Sequence, residues 1–188
     1  MQVAGRIAES IGAVIKPNLT EAEFAIVPRY RDPVWQWHNT LYDRIIPHQL
    51  ITDMAGEWAP RPEYNSCYVS GVSYGVAVDV RRAGSAGDKP APDVYDDLIT
   101  DTNAARQRGI TEICKGGVQE IVTLTLPLFP ADKAPGLVQP AMLCDIHPHT
   151  EPNWPGLCLA TSITVTAQQA GSGMVRQQIK LERHHGNS

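Results

Sequence analysis

Residues 154–185 constrain the fold of this chain more than any other stretch. Trp154-Pro155-Gly156 is a turn signal. After it, residues 157–167 alternate, with Ile163, Val165 and Ala167 on one face and Ser162, Thr164 and Thr166 on the other. A polar, glycine-bearing loop at 168–173 follows. A second alternating run then sets Met174, Arg176, Gln178, Lys180 and Glu182 against Val175, Ile179 and Leu181. Period-two patterning with β-branched residues on both sides of a glycine loop predicts two antiparallel strands. Such a hairpin buries one face and wets the other, and upstream strands must complete its sheet because it is not stable alone.

The rest of the chain supplies candidates for that sheet. The 15 Pro and 15 Gly among 188 residues imply many turns, as in β-rich folds. Val3, Ile7, Ile11, Val14 and Ile15 recur at helical spacing and predict an amphipathic helix of about three turns over residues 3–15. Residues 23–27 read as a short strand, and residues 39–62 as irregular with short extended pieces. Strands are predicted at 64–71 and 73–82, joined by a tight turn at Ser70-Gly71. A second helix is predicted from Asp93, with its main segment capped by Thr100 or Asp101 and ended by Gly116-Gly117. Residues 118–129 give the clearest single strand, and 142–147 another. The fold class is therefore α+β and β-rich: an antiparallel barrel- or sandwich-like domain with two helices. The boundary falls between an N-terminal segment at 1–62, with its helix and aromatic Pro-rich stretch, and a β domain at 63–188 carrying one inserted helix.

A formal charge of −4 argues against a nucleic-acid binder, which ordinarily carries a basic surface. No apolar run approaches the roughly 20 residues of a membrane-spanning helix. The first 16 residues lack the basic and apolar regions of a signal peptide. Cys67, Cys114, Cys144 and Cys158 form no close pair, which points to buried free thiols in a reducing cytoplasm instead of a zinc site.

Asp145, His147, His149 and Glu151 form the one cluster with a metal or acid–base look, since an H-x-H on a strand end sets both rings on one face. Pro148 and Pro152 mark the same stretch as a polar turn, the blander reading. Asp96, Asp97 and Asp101 are accounted for by a helix start. The loop at 83–92 has neither Gly-Lys-Ser/Thr nor GxGxxG spacing, and no nucleophile elbow or HExxH occurs. The segment 28–37 brackets Tyr30, Trp35 and Trp37 with Pro and Arg. These three either pack beneath the loop as a satellite cluster or form a contact surface, where Tyr, Trp and Arg are enriched.

Several stretches together resemble the C-terminal half of the tail hub proteins of tailed bacteriophages. They are Phe24 to Arg31 with Trp35 and Trp37, Val69-Ser70-Gly71, and Arg82 to Asp88. Leu98 to Asp101 with Ala105 and Arg108-Gly109 belong to the same set. The closing pattern is Trp154-x-Gly156, Ile163-Thr164-Val165, and Gln177-x-Ile179-x-Leu181-Glu182-Arg183-His184. The resemblance runs from about Phe24 to His185, and its order and spacing are more specific than any one motif. It implies a β-barrel-containing hub subunit, a homotrimer in the virion that adapts a sixfold tail tube to a threefold tip and lines the DNA exit path. It also implies other tail proteins as partners, namely the tube or distal tail protein and the tip or central spike, with assembly in the bacterial cytoplasm.

Genomic DNA would pass transiently without specific binding, and neither a cofactor nor a membrane is implied. Hub proteins normally carry a further barrel before this region, where this sequence has a helix, so the resemblance implies either a separate chain that supplies that half or a reduced hub. On this reading Tyr30, Trp35 and Trp37 are interface residues. A mildly acidic chain suits a DNA conduit, because a basic lumen would grip phosphates. The rival readings are a tail-completion or neck protein, a small metal-dependent hydrolase using Asp145, His147 and His149, and a carbohydrate-binding module using exposed Trp residues.

Overall fold

In the computed structural model, residues 2–18, 20–72, 75–130, 132–147, 154–167 and 173–186 are described. They contain eleven strands and two α-helices, in agreement with the β-rich α+β expectation. The chain separates into two compact units, each built from two segments. One comprises Met1–Val34 and Pro60–Val118, and the other Trp35–Ala59 and Gln119–Ser188. This differs from a boundary at residue 62. The segment after Val34 contributes strands to the sheet of the C-terminal hairpin, a long-range pairing that local pattern does not reveal.

The first unit holds α1 (Gln2–Ser10), the hairpin β1 (Ala13–Pro17) and β2 (Phe24–Pro28), and a three-stranded sheet packed on α2 (Thr102–Cys114). The predicted 3–15 helix therefore ends early. Gly12 takes a left-handed φ of 67°, breaking the helix, and Val14 and Ile15 enter β1 instead. The clamp on α1 is Arg6, whose guanidinium donates two hydrogen bonds to Asp96 at 2.7 and 3.1 Å. Burial tends to raise the pKa of Asp96. The hydrogen bonds from Arg6 and the Leu98 amide outweigh it and hold the carboxyl below its ordinary value.

The three-stranded sheet runs in the order β6 (Ala77–Arg81), β5 (Ser66–Ser70), β7 (Val94–Tyr95). β5 pairs antiparallel with β6 and parallel with β7. The tight turn predicted at Ser70-Gly71 is a wider connection, closed by the Gly71 amide on the Val76 carbonyl. The helix predicted from Asp93 starts later, because Val94 and Tyr95 pair with β5. Asp101 then caps α2, accepting from the amides of Asn103 and Ala104. α2 lies close on the sheet at Gly109, where a Cβ would stand 2.6 Å from Cγ2 of Val80.

The second unit is a six-stranded sheet in the order β3 (Arg44–Pro47), β9 (Leu143–His147), β10 (Trp154–Ala167), β11 (Gly173–His185), β8 (Val118–Pro127), β4 (Asp53–Trp58). Its β3–β9 pair is parallel, and β9–β10, β10–β11 and β4–β8 are antiparallel. Residues 39–62, read as irregular with short extended pieces, supply both edge strands. One face carries the core: Ile46, Val122, Leu124, Leu126, Ile146, Ile179 and Leu181, joined by Val138 and Met142 from the connecting loop.

Gly109→Ala is expected to invert the usual sign of a helical glycine replacement. A free helix gains about 1 kcal/mol, whereas here overpacking against Val80 should cost about 1–3 kcal/mol, read by urea unfolding. The ionised Asp96 clamp contributes stability above the ordinary carboxyl pKa and loses it as pH falls through the depressed folded value. The protection factors of the α1 amides, corrected for the intrinsic pH dependence of exchange, should therefore fall in that acid window, and Asp96→Asn should abolish the step.

Candidate interaction surface

The β10–β11 pair is the predicted hairpin, in register Val165↔Val175 and Thr161↔Ile179. An extra residue, Leu159, makes a bulge between Cys158 and Ala160. After it, Thr161, Ile163 and Val165 share the core-side face with Ile179, Gln177 and Val175. Burial on that face stops at Gln177. Its side chain is fully buried, donates from Nε2 to the Gly136 carbonyl at 2.7 Å, and accepts the Val138 amide at 3.1 Å. Thr161 donates to the Val138 carbonyl at 2.7 Å. These bonds tie the loop across the sheet, and the core ends there.

Beyond that line the ribbon continues uncovered. Residues 162–166 and 173–176 are exposed on both faces. Ile163 is 50 % and Val165 70 % accessible, with Val175 and Met174 also exposed. β9 pairs only with residues 154–157 of β10, so the outer edge of β10 from Ala160 onward has no neighbouring strand among the described residues. The apolar stripe of the core thus runs on into solvent along an arm.

Two further surfaces share this character. β4 ends the sheet at its other side, is exposed along its length, and presents Met54 and Trp58, the latter 61 % accessible. Trp58 is held by the His185 ring at 4.7 Å, and His185 in turn meets Glu120 at 2.9 Å. In the first unit, the β1–β2 register sets Ala13, Ile15 and Pro17 opposite Pro28, Ile26 and Phe24, a wholly apolar face on which Phe24 and Ile26 are exposed.

The structure buries two of the three predicted interface residues. Tyr30 is 1 % exposed, beside the Arg29 guanidinium and with its carbonyl accepting from Gln107. Trp37, 2 % exposed in the 3-10 turn Val34–Asn39, meets the His184 ring edge-on at 5.3 Å. His184 bonds Glu182 at 2.8 Å, and both are buried. Both residues therefore pack within the chain, as satellite clusters do. Trp35 is half-buried. Trp58, Met54, Phe24 and Ile26 were missed as surface candidates; the signal available was apolar residues in short alternating runs.

His149 and Glu151 lie outside the described residues, and His147 is described only as part of β9, opposite Pro47. Asp145 is buried and accepts the Trp154 amide at 2.8 Å, a structural task. Among the described residues no group of three His, Cys, Asp or Glu side chains could hold a metal, and no described helix is long and apolar enough to cross a membrane. All four cysteines are buried and form no disulfide. Burial pushes the Cys67 thiol up to about 11 and the Cys144 thiol well above its ordinary value, so these are poor nucleophiles at neutral pH.

No protein-family model and no curated protein sequence matches the chain. Among solved structures it is similar to the 43 kDa tail protein of prophage MuSo2 from Shewanella oneidensis, at 14% identity and a TM-score of 0.49, over 96% of this chain and 51% of that one. It is also similar to the tail protein from Neisseria meningitidis MC58, at 12% identity and 0.49, over 97% of this chain and 53% of that one. The chain spans about half the length of either protein.

Gln177→Ala should orphan the Val138 amide and the Gly136 carbonyl and cost about 1–3 kcal/mol. Val165→Ser on the arm should stay within about 0.5 kcal/mol of the parent. Urea unfolding of the two variants side by side checks where the core stops.

Proposed function

We propose that the chain is a structural protein of a bacteriophage tail, part of the tail-tip or baseplate hub ring at the end of the tail tube and around the DNA exit path. The observation that carries this reading is the arm. A β-ribbon that leaves its own core with the apolar stripe still facing outward is suited to being covered by another chain. The ordered stretches from Phe24 to His185 that resemble tail hub proteins support the same assignment. The work is mechanical, not catalytic: buried Asp145 accepts the Trp154 amide, and burial raises the Cys67 and Cys144 thiols.

On this reading the subunits form a homotrimer and contact the tail tube or distal tail protein on one side and the tip or central spike on the other. On the same reading the half-buried Trp35 joins such a contact. The protein would be assembled in the host cytoplasm and carried in the virion, with DNA passing without specific binding.

Antibody labelling of purified particles in the electron microscope tests the assignment, with mass spectrometry of the same particles. The expected label lies at the tail end distal to the capsid. Label at the capsid end would replace the hub with a tail-completion or neck role. Absence from particles would overturn the tail reading altogether.

A further inference from the structure

Two edges of the second unit, free of a neighbouring strand among the described residues, are complementary in patterning and charge. The arm's outer edge is β10 from Ala160 to Ala167, unpaired by β9. Its core-side face offers Ile163 and Val165, and its reverse face offers Ser162, Thr164 and Thr166. One strand inward, directly across from Thr164 and Ala160, stand Arg176 and Lys180, both exposed on that reverse face. The sequence from 160 to 181 carries no acidic residue, so its formal charge is +2.

The other edge is β4. It alternates in the same sense but with the opposite charge, Met54, Gly56 and Trp58 lying toward the core side and Asp53, Ala55 and Glu57 on the reverse, all exposed. Its formal charge is −2. Solitary edges in natural proteins are usually blunted by Pro, Lys, a bulge or extreme shortness. β4 has six residues and neither Pro nor Lys, with no register shift against β8.

We infer that the arm of one copy adds through the outer edge of β10 to β4 of a second copy, extending that copy's sheet. Strand addition satisfies the two open rows of backbone groups. It also continues both faces: Ile163 and Val165 join Met54 and Trp58, while Arg176 and Lys180 come to the side of Asp53 and Glu57. The two patches differ, so the contact is heterologous and propagates from copy to copy until a ring closes. The inference deepens the tail assignment by naming the surfaces that join copies of this chain.

A charge swap on the full-length protein tests it. Arg176→Glu and Glu57→Arg both alter exposed side chains and should leave the circular dichroism spectrum unchanged. Each alone should weaken self-association about tenfold in sedimentation equilibrium, and the double variant should return to within about threefold of the parent. Additive weakening in the double variant would overturn the pairing. So would a parent protein that stays monomeric to millimolar concentration. If the swap rescues association but the protein is missing from particles, the pairing stands and the tail assignment falls. If it is in particles and the swap does not rescue, the reverse holds.

Discussion

The organisation of the second unit depends on where burial stops along β11, and that point is set by one amide side chain. Gln177 occupies the last covered position of the stripe Leu181, Ile179, Gln177. An aliphatic residue there would extend the core but leave the Gly136 carbonyl and the Val138 amide without their side-chain partner in a dry environment. Gln177 meets both a carbonyl and an amide, so the returning loop is sealed onto the sheet with its polar groups satisfied. Val138 is thereby delivered into the core, and everything past Gln177 is released to solvent.

Both units are closed by segments distant in sequence. In the first, the carboxylate of Asp96 holds α1 through Arg6, ninety residues away. In the second, the amide of Asp43 and the carbonyl of Leu143 bond across a similar span, with the Asp43 carboxylate accepting the Leu143 amide. Such contacts let the chain cross from one unit to the other and back without either unit being a continuous stretch of sequence.

The elements legible in the sequence were those fixed by local pattern. Residues 157–185 alternate strongly enough to give the hairpin and its inward residues, and 118–127 gave β8. The Asp101 cap was readable because an Asp two and three residues before open helical amides has one obvious use. What was not legible came from partners far along the chain. β4 has the sequence Asp-Met-Ala-Gly-Glu-Trp, too poor in β-branched residues to announce a strand, and it forms because β8 offers a ladder. Val14 and Ile15 fit a helical repeat and a strand equally well until Gly12 breaks the helix. For the surface, aromatic density drew attention to Tyr30 and Trp37, but large rings near prolines serve the interior just as readily. Alternation sets Val165 and Ile163 on one face of β10 but cannot say how far along a strand the cover extends.

The course of β11 has a consequence for load. Over thirteen residues the strand passes from a stretch covered on both faces, where Leu181 and Glu182 are each buried, to one bare on both faces. Tension applied along the arm is therefore delivered straight down the strand axis, and the lateral bonds to β8 and β10 share it in shear. Sideways force meets those bonds one at a time. A projecting ribbon rooted in this way resists being drawn out far better than being peeled away.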